Sequence, residues 1–125
     1  LCRRYPDIRF VLNHLALPGS LAPAETQYGG LLDAAAYPNL FVKASGFYAC
    51  ADRSWDLGDP RALGFLRQLV DGLGAGRVLW GSDWPPVGWH LTYRQALEIV
   101  RSTVGFGPRD LAMLLGSNAA MVYKI

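Results

Sequence analysis

Cysteine is scarce in this chain, with two among 125 residues, and Cys2 and Cys50 stand far apart with neither in a CxxC pair. That spacing excludes a zinc knuckle, a redox dithiol and a disulfide framework; it points to a reducing, cytoplasmic setting in which both thiols act as small buried hydrophobes. Charge is sparse too. Asp, Glu, Lys and Arg make up 18% of the residues, and the net charge of +2 comes from cations scattered along the chain. No clustered basic face exists to meet a phosphate backbone, so nucleic acid is not an expected partner. No run approaches the roughly 18 uninterrupted apolar residues of a membrane-spanning helix, so no membrane partner is expected either. An initiating Met is missing, and Leu1-Cys2-Arg3-Arg4-Tyr5 lacks the charged-then-apolar pattern of a secretory signal. The chain reads as a piece of something longer.

What is present is apolar: 51% of the residues are hydrophobic, in a length that suits one domain at most. Arg9-Phe10-Val11-Leu12-Asn13-His14 is β-branched and aromatic, and Leu17-Pro18-Gly19 cannot continue it, which predicts a first strand. Gly29-Gly30 precedes a helix over Leu31 to Ala36, closed by Pro38-Asn39. Leu40 to Gly46 is a second strand, with Tyr48 in the loop beyond. Asp59-Pro60 supplies an N-cap and first-turn proline for a helix that places Leu63, Leu66, Leu69, Val70 and Leu73 on one face before Gly74 ends it. Arg77 to Ser82 is a third strand, stopped by Asp83-Trp84-Pro85-Pro86. Helices over Tyr93 to Val100 and Pro108 to Leu115 follow, and Ser117 is expected to cap a last turn. Strand starts at Phe10, Phe41 and Val78 lie 31 and 37 positions apart, the span of a βα unit. The fold class is α/β with a parallel sheet, either doubly wound or closed into a barrel.

Reactive groups of parallel α/β folds gather at the C-terminal ends of the strands. Here those ends carry His14, then Lys43 and Ser45, then Asp83. Strand alternation predicts one face that collects them. His14 would share it with Phe10 and Leu12, and Asp83 with Leu79 and Gly81, while Val42, Ala44, Val78 and Trp80 turn to the helices. Plainer readings stand beside each assignment. A strand-terminal His often serves as a hydrogen-bonded structural residue, Asp83 can cap the loop it opens, Lys43 can reach solvent, and Tyr48 and the Trp residues can simply pack. His90 falls in a loop and is expected at the surface. Gly72-Leu73-Gly74-Ala75-Gly76 follows a helix and precedes a strand, the reverse of the order that aims a helix N-terminus at a dinucleotide phosphate.

Four segments in this order carry a family resemblance: Val11-Leu12-Asn13-His14-Leu15 with Pro18, Pro38-Asn39-Leu40-Phe41-Val42-Lys43-Ala44-Ser45-Gly46, Leu79-Trp80-Gly81-Ser82-Asp83-Trp84-Pro85, and Leu115-Gly116-Ser117-Asn118-Ala119-Ala120. Together they resemble the amidohydrolase-related family of metal-dependent barrel enzymes, which contains lactonases and non-oxidative decarboxylases. The resemblance implies that residues 1–125 are the C-terminal portion of one (β/α)8 TIM-barrel domain, its strands six to eight with their helices, without the N-terminal strands. It implies that Asp83 is the eighth-strand aspartate, a ligand of zinc or manganese in the full-length parent and the group that takes a proton from the attacking water. His14 becomes the sixth-strand histidine that polarises a substrate carbonyl, orients water or joins the metal shell. A divalent metal keeps a neighbouring carboxylate ionised and lowers the pKa of its water to about 7. Lys43, Ser45, Tyr48 and Trp84 would line the mouth that receives the substrate, Lys43 holding a substrate carboxylate. The activity implied is hydrolysis of a lactone or related cyclic ester of a small carboxylated molecule. The alternatives are decarboxylation on the same barrel, with His14 protonating the carbon that carbon dioxide leaves, or a fragment inert by itself. The family pattern's first-strand His-x-His pair and its fourth- and fifth-strand residues do not occur in these 125 residues.

Overall fold

The computed structural model describes residues 1–19 and 23–125, apart from the side chains of Glu25 and Thr103. Three strands, β1 (Phe10–Leu12), β2 (Leu40–Ala44) and β3 (Val78–Trp80), form a parallel sheet in chain order. Helix α1 (Ala24–Asp33) joins β1 to β2, and the short α2 (Phe47–Cys50) and long α3 (Pro60–Leu73) join β2 to β3. Past β3 lie α4 (Tyr93–Glu98), α5 (Pro108–Ala112) and α6 (Asn118–Tyr123). Wider π-helical turns at Ile99–Thr103 and Met113–Ser117 extend α4 and link α5 to α6.

Period-2 alternation along the strands and 3.6-residue periodicity along α3 build the main core together. Leu40, Val42, Ala44 and Val78 face the helices, where α3 supplies Leu63, Leu66, Leu69 and Leu73 and α1 supplies Tyr28 and Leu31. Leu66, Leu69, Val42 and Val78 have no exposed surface, each contributing roughly 1.5–3 kcal/mol by leaving water. On the opposite face Phe41 and Leu79 pack with Val122 of α6, and Val11 joins them.

Helix α3 begins and ends as its sequence predicts. Asp59 accepts from the backbone N–H groups of Arg61 (3.1 Å) and Ala62 (2.9 Å), Pro60 occupies the first turn, and Gly74 leaves the helix at φ 86°. Polar side chains tie the N-terminal end of the sheet. Arg77 donates to the carbonyls of Leu73, Ala35 and Tyr37; Asn39 donates to those of Cys2, Tyr5 and Ile8; Asn118 donates to those of Ala75 and Val78.

The structure corrects four sequence expectations. In β1 the register pairs Phe10 with Leu40, Val11 with Phe41 and Leu12 with Val42. Phe10 packs against the helix-side core, and Val11, not Phe10 or Leu12, joins the Phe41 face. Alternation failed because the strand stops at Leu12, so His14 is not on it and its direction is set by the turn that follows. Helix α1 starts at Ala24 and runs through Gly29 and Gly30, whose backbone cost the helix's packing covers. Tyr48 sits in α2, not in an open loop. Ser117 has helical angles and no capping hydrogen bond, because the chain stays helical from α5 into α6.

Candidate active site

The C-terminal ends of the three strands converge on one cleft of about 370 Å³, lined by His14, Lys43, Ser45, Ser82, Asp83 and Trp84 among others. Each end reaches it by an unusual backbone. After Asn13 the chain makes a left-handed turn in which His14, Leu15, Ala16 and Leu17 all have φ between 49° and 62°. Left-handed helix costs roughly 1–2 kcal/mol per residue with a Cβ, so something must hold it. Helix α1 does: Tyr28, buried, donates its hydroxyl to the Leu15 carbonyl at 2.6 Å, and the Gln27 amide donates to the Ala16 and Leu17 carbonyls. Leu15, fully buried, pins the turn from inside, leaving His14 turned to the cleft.

Asp83 likewise departs at φ 59°, three residues past the end of β3. Non-glycine residues at positive φ persist only where the surroundings over-determine them, and they cluster at functional sites. Here the imidazole and the carboxylate both sit on such positions, with Nδ1 of His14 3.6 Å from Oδ2 of Asp83. The two make an ion pair when the imidazole is protonated.

Ser45 and Gly46 form the floor between them. The Ser45 hydroxyl, 2% exposed, accepts from the His14 backbone N–H at 3.3 Å and faces its Nδ1 at 3.1 Å, a contact whose donor follows the tautomer. Gly46, at φ 65°, passes so close that a Cβ there would lie 2.9 Å from the Cβ of His14. Tyr48, carried across from α2, donates its hydroxyl to Oδ2 of Asp83 at 2.6 Å. Burial first, then the hydrogen bond and the charge of Asp83, push the Tyr48 phenol up to about 12, so it stays a proton donor at neutral pH. The Asp83 carboxylate is thus engaged across the sheet, with Tyr48 and His14, and does not cap its own loop; the Ser82 hydroxyl accepts from the Trp84 N–H there.

Lys43 lines the same cleft on the face of Leu79, its register partner, and its ammonium stands 5.9 Å from the Tyr123 ring. Trp84 is 64% exposed at the rim and lies against Gly88, where a Cβ would meet its ring at 3.0 Å. Sequence reasoning missed His90. It is exposed, as expected, but its ring stacks on that of Tyr48 at 4.4 Å and 14°. Its place in a Gly-Trp-His loop carried no periodic signal. Cys50 is buried, and burial pushes its thiol up to about 11 against the opposing charge of Arg61, so it is no nucleophile.

A larger cleft, about 520 Å³, lies at the other end of the sheet beside Arg9, Asn39 and Arg77. Both guanidiniums already donate to backbone carbonyls, Arg9 to those of Met121 and Val122. The cleft of His14 and Asp83, by contrast, gathers an imidazole, a carboxylate, an ammonium and hydroxyls at the C-terminal ends of the strands. Among the described residues no group of three or more His, Cys, Asp or Glu could hold a metal ion. Imidazole and carboxylate are suitable ligand types for zinc or manganese, but a catalytic zinc takes three protein ligands, so this pair alone does not make a complete site. No helix among the described residues is long and apolar enough to cross a membrane.

A parallel α/β sheet with polar side chains gathered at its C-terminal rim is the arrangement of an α/β enzyme scaffold. The amidohydrolase family model matches residues 1–125, and the chain belongs to that family. It is 33% identical over 129 residues to the L-fucono-1,5-lactonase of Burkholderia ambifaria, covering 98% of this chain and 44% of the lactonase. An amidohydrolase from Burkholderia multivorans with bound zinc superposes with a TM-score of 0.81 at 25% identity, over 99% of this chain and 46% of that one. A putative 2-pyrone-4,6-dicarboxylic acid hydrolase from Pseudomonas putida gives 0.71 at 25% identity, over 93% of this chain and 43% of that one. The chain thus spans about half the length of the relatives it matches.

Proposed function

We propose that residues 1–125 form the C-terminal portion of a single amidohydrolase (β/α)8 barrel, its strands six to eight, and that the whole protein hydrolyses a lactone of a small carboxylated or sugar-acid compound. The observation that carries this reading is the convergence of His14 and Asp83, 3.6 Å apart, on one cleft from the turns that follow two parallel strands. Similarity to a sugar lactonase favours a cyclic ester as substrate.

In this reading Asp83 takes a proton from a water that adds to the lactone carbonyl. A carboxylate offers about four lone-pair sites, so accepting from Tyr48 leaves capacity for that proton. His14 polarises the carbonyl or holds the water, its ring direction set by Ser45 and the left-handed turn. The ring C–O bond then breaks, and the leaving oxygen takes the proton that Asp83 received, giving the open hydroxy acid and restoring the carboxylate. Lys43 holds a carboxylate or other anionic edge of the substrate, and Trp84 covers the rim. A divalent metal would find Asp83 as one ligand and supply Lewis-acid polarisation; the other ligands would come from outside these 125 residues.

Product analysis on the full native chain tests this. With sugar 1,5-lactones the expected product is the ring-opened acid, one water heavier, without gas release. Release of carbon dioxide from an aromatic acid, with lactones inert, overturns the reading in favour of decarboxylation.

A further inference from the structure

Tyr48 carries more than a place at the rim. It is the second residue of α2, two positions after the left-handed Gly46, and reaches from beyond the end of β2 to Asp83, three residues past the end of β3. Its hydroxyl meets Oδ2 of Asp83 at 2.6 Å, the same oxygen that faces Nδ1 of His14 at 3.6 Å. Behind it, the ring of His90 lies nearly parallel at 4.4 Å, delivered by the turn Pro86–Trp89 that follows the Asp83 loop. That turn is anchored by Val87, 2% exposed, whose N–H donates to the Asp83 carbonyl at 2.9 Å. The chain after Asp83 therefore folds back so that His90 buttresses the phenol that holds the Asp83 side chain.

We infer that Tyr48 and His90 form a positioning pair: the His90 ring holds Tyr48 in place, and the Tyr48 hydroxyl fixes the rotamer of Asp83 with Oδ2 toward His14. Neither ring needs to touch the substrate. This assigns Tyr48 a role different from a substrate contact, and gives His90 one where an exposed loop histidine suggests none. The inference rests on the proposed reactive role of Asp83. A stacked neutral ring suffices for the buttress, so the part His90 plays is one of shape, which another flat ring can fill.

Kinetics of the full native chain on a lactone it opens, using Tyr48→Phe, His90→Ala, His90→Phe and the Tyr48→Phe/His90→Ala double variant, test the pair. A hydrogen bond to a charged group is worth enough for Tyr48→Phe to lower kcat about 10-fold. His90→Ala should lower it about 3-fold, with KM for both within about 2-fold of the parent. His90→Phe should recover most of the loss, and the double variant should be no slower than Tyr48→Phe, since the buttress has nothing left to hold. Additive losses overturn the pair, as does a loss that falls in KM alone, or a His90→Phe as poor as His90→Ala. Asp83→Asn measured alongside separates the two claims. If it stays active, the reactive role of Asp83 and the positioning pair fall together. If it is inactive while the losses add, the pair alone is wrong.

Discussion

Gly46 lies where no side chain fits: its φ of 65° belongs to glycine, and a Cβ would stand 2.9 Å from that of His14. Gly46→Ala is expected to cost about 1–3 kcal/mol in stability and to displace the imidazole, so a denaturant melt should shift and turnover should fall together. Asp59 is the clearest single residue for stability. Burial alone would raise its pKa, but the N–H groups of Ala62, Asp52, Arg53 and Arg61 outweigh that and hold it below the ordinary carboxylate range. A lowered folded pKa means that the cap's contribution is whole above about pH 4 and is lost as pH falls through the folded value. Asp59→Ala should therefore cost about 1–2 kcal/mol at neutral pH, and its stability should fall less steeply than that of the parent as the pH drops below about 4. The sequence made Asp59 readable because capping is local: Asp, then Pro, then an apolar stripe. It made His14, Lys43, Ser45 and Asp83 readable as neighbours because strand ends in parallel folds share a rim. It could not show that Tyr48 bonds Asp83 or that His90 stacks on Tyr48, since those contacts depend on loop paths with no periodicity.

Among the elements, the three strands and α3 were legible because their local signals agree: β-branched runs bounded by loop residues, and for α3 a cap, a proline and a stop glycine. The left-handed turn after β1 was not, because four consecutive residues with side chains at positive φ contradict local preference and stand only by tertiary support from α1. That support is testable. Tyr28→Phe leaves the Leu15 carbonyl without its donor, which should cost about 1–3 kcal/mol. It should also lower turnover by loosening the turn that carries His14, while Tyr48 and Asp83 stay untouched. Leu66, fully buried on α3, has no such link to the site. Leu66→Ala should destabilise by about 2–5 kcal/mol in a urea melt, with kcat of the folded protein near the parent value.

At the scale of the whole molecule, the sheet has two unequal ends. At the N-terminal end Arg9, Asn39, Arg77 and Asn118 all donate to backbone carbonyls, and at the C-terminal end His14 and Asp83 face a cleft. Membership of the amidohydrolase family and the superposition on a zinc-bound amidohydrolase accord with the proposal that the C-terminal end carries the chemistry. His14, Lys43, Ser45 and Asp83 do line one cleft, but not by the expected alternation in β1, because a three-residue strand ends before it can aim His14. The proposal stands on Asp83 acting on water, and steady-state hydrolysis of a lactone by Asp83→Asn in the full native chain measures it most directly. The expected result is a fall in kcat of at least about 10²-fold with the melting temperature nearly unchanged; a variant that opens the lactone within about 3-fold of the parent rate contradicts the account.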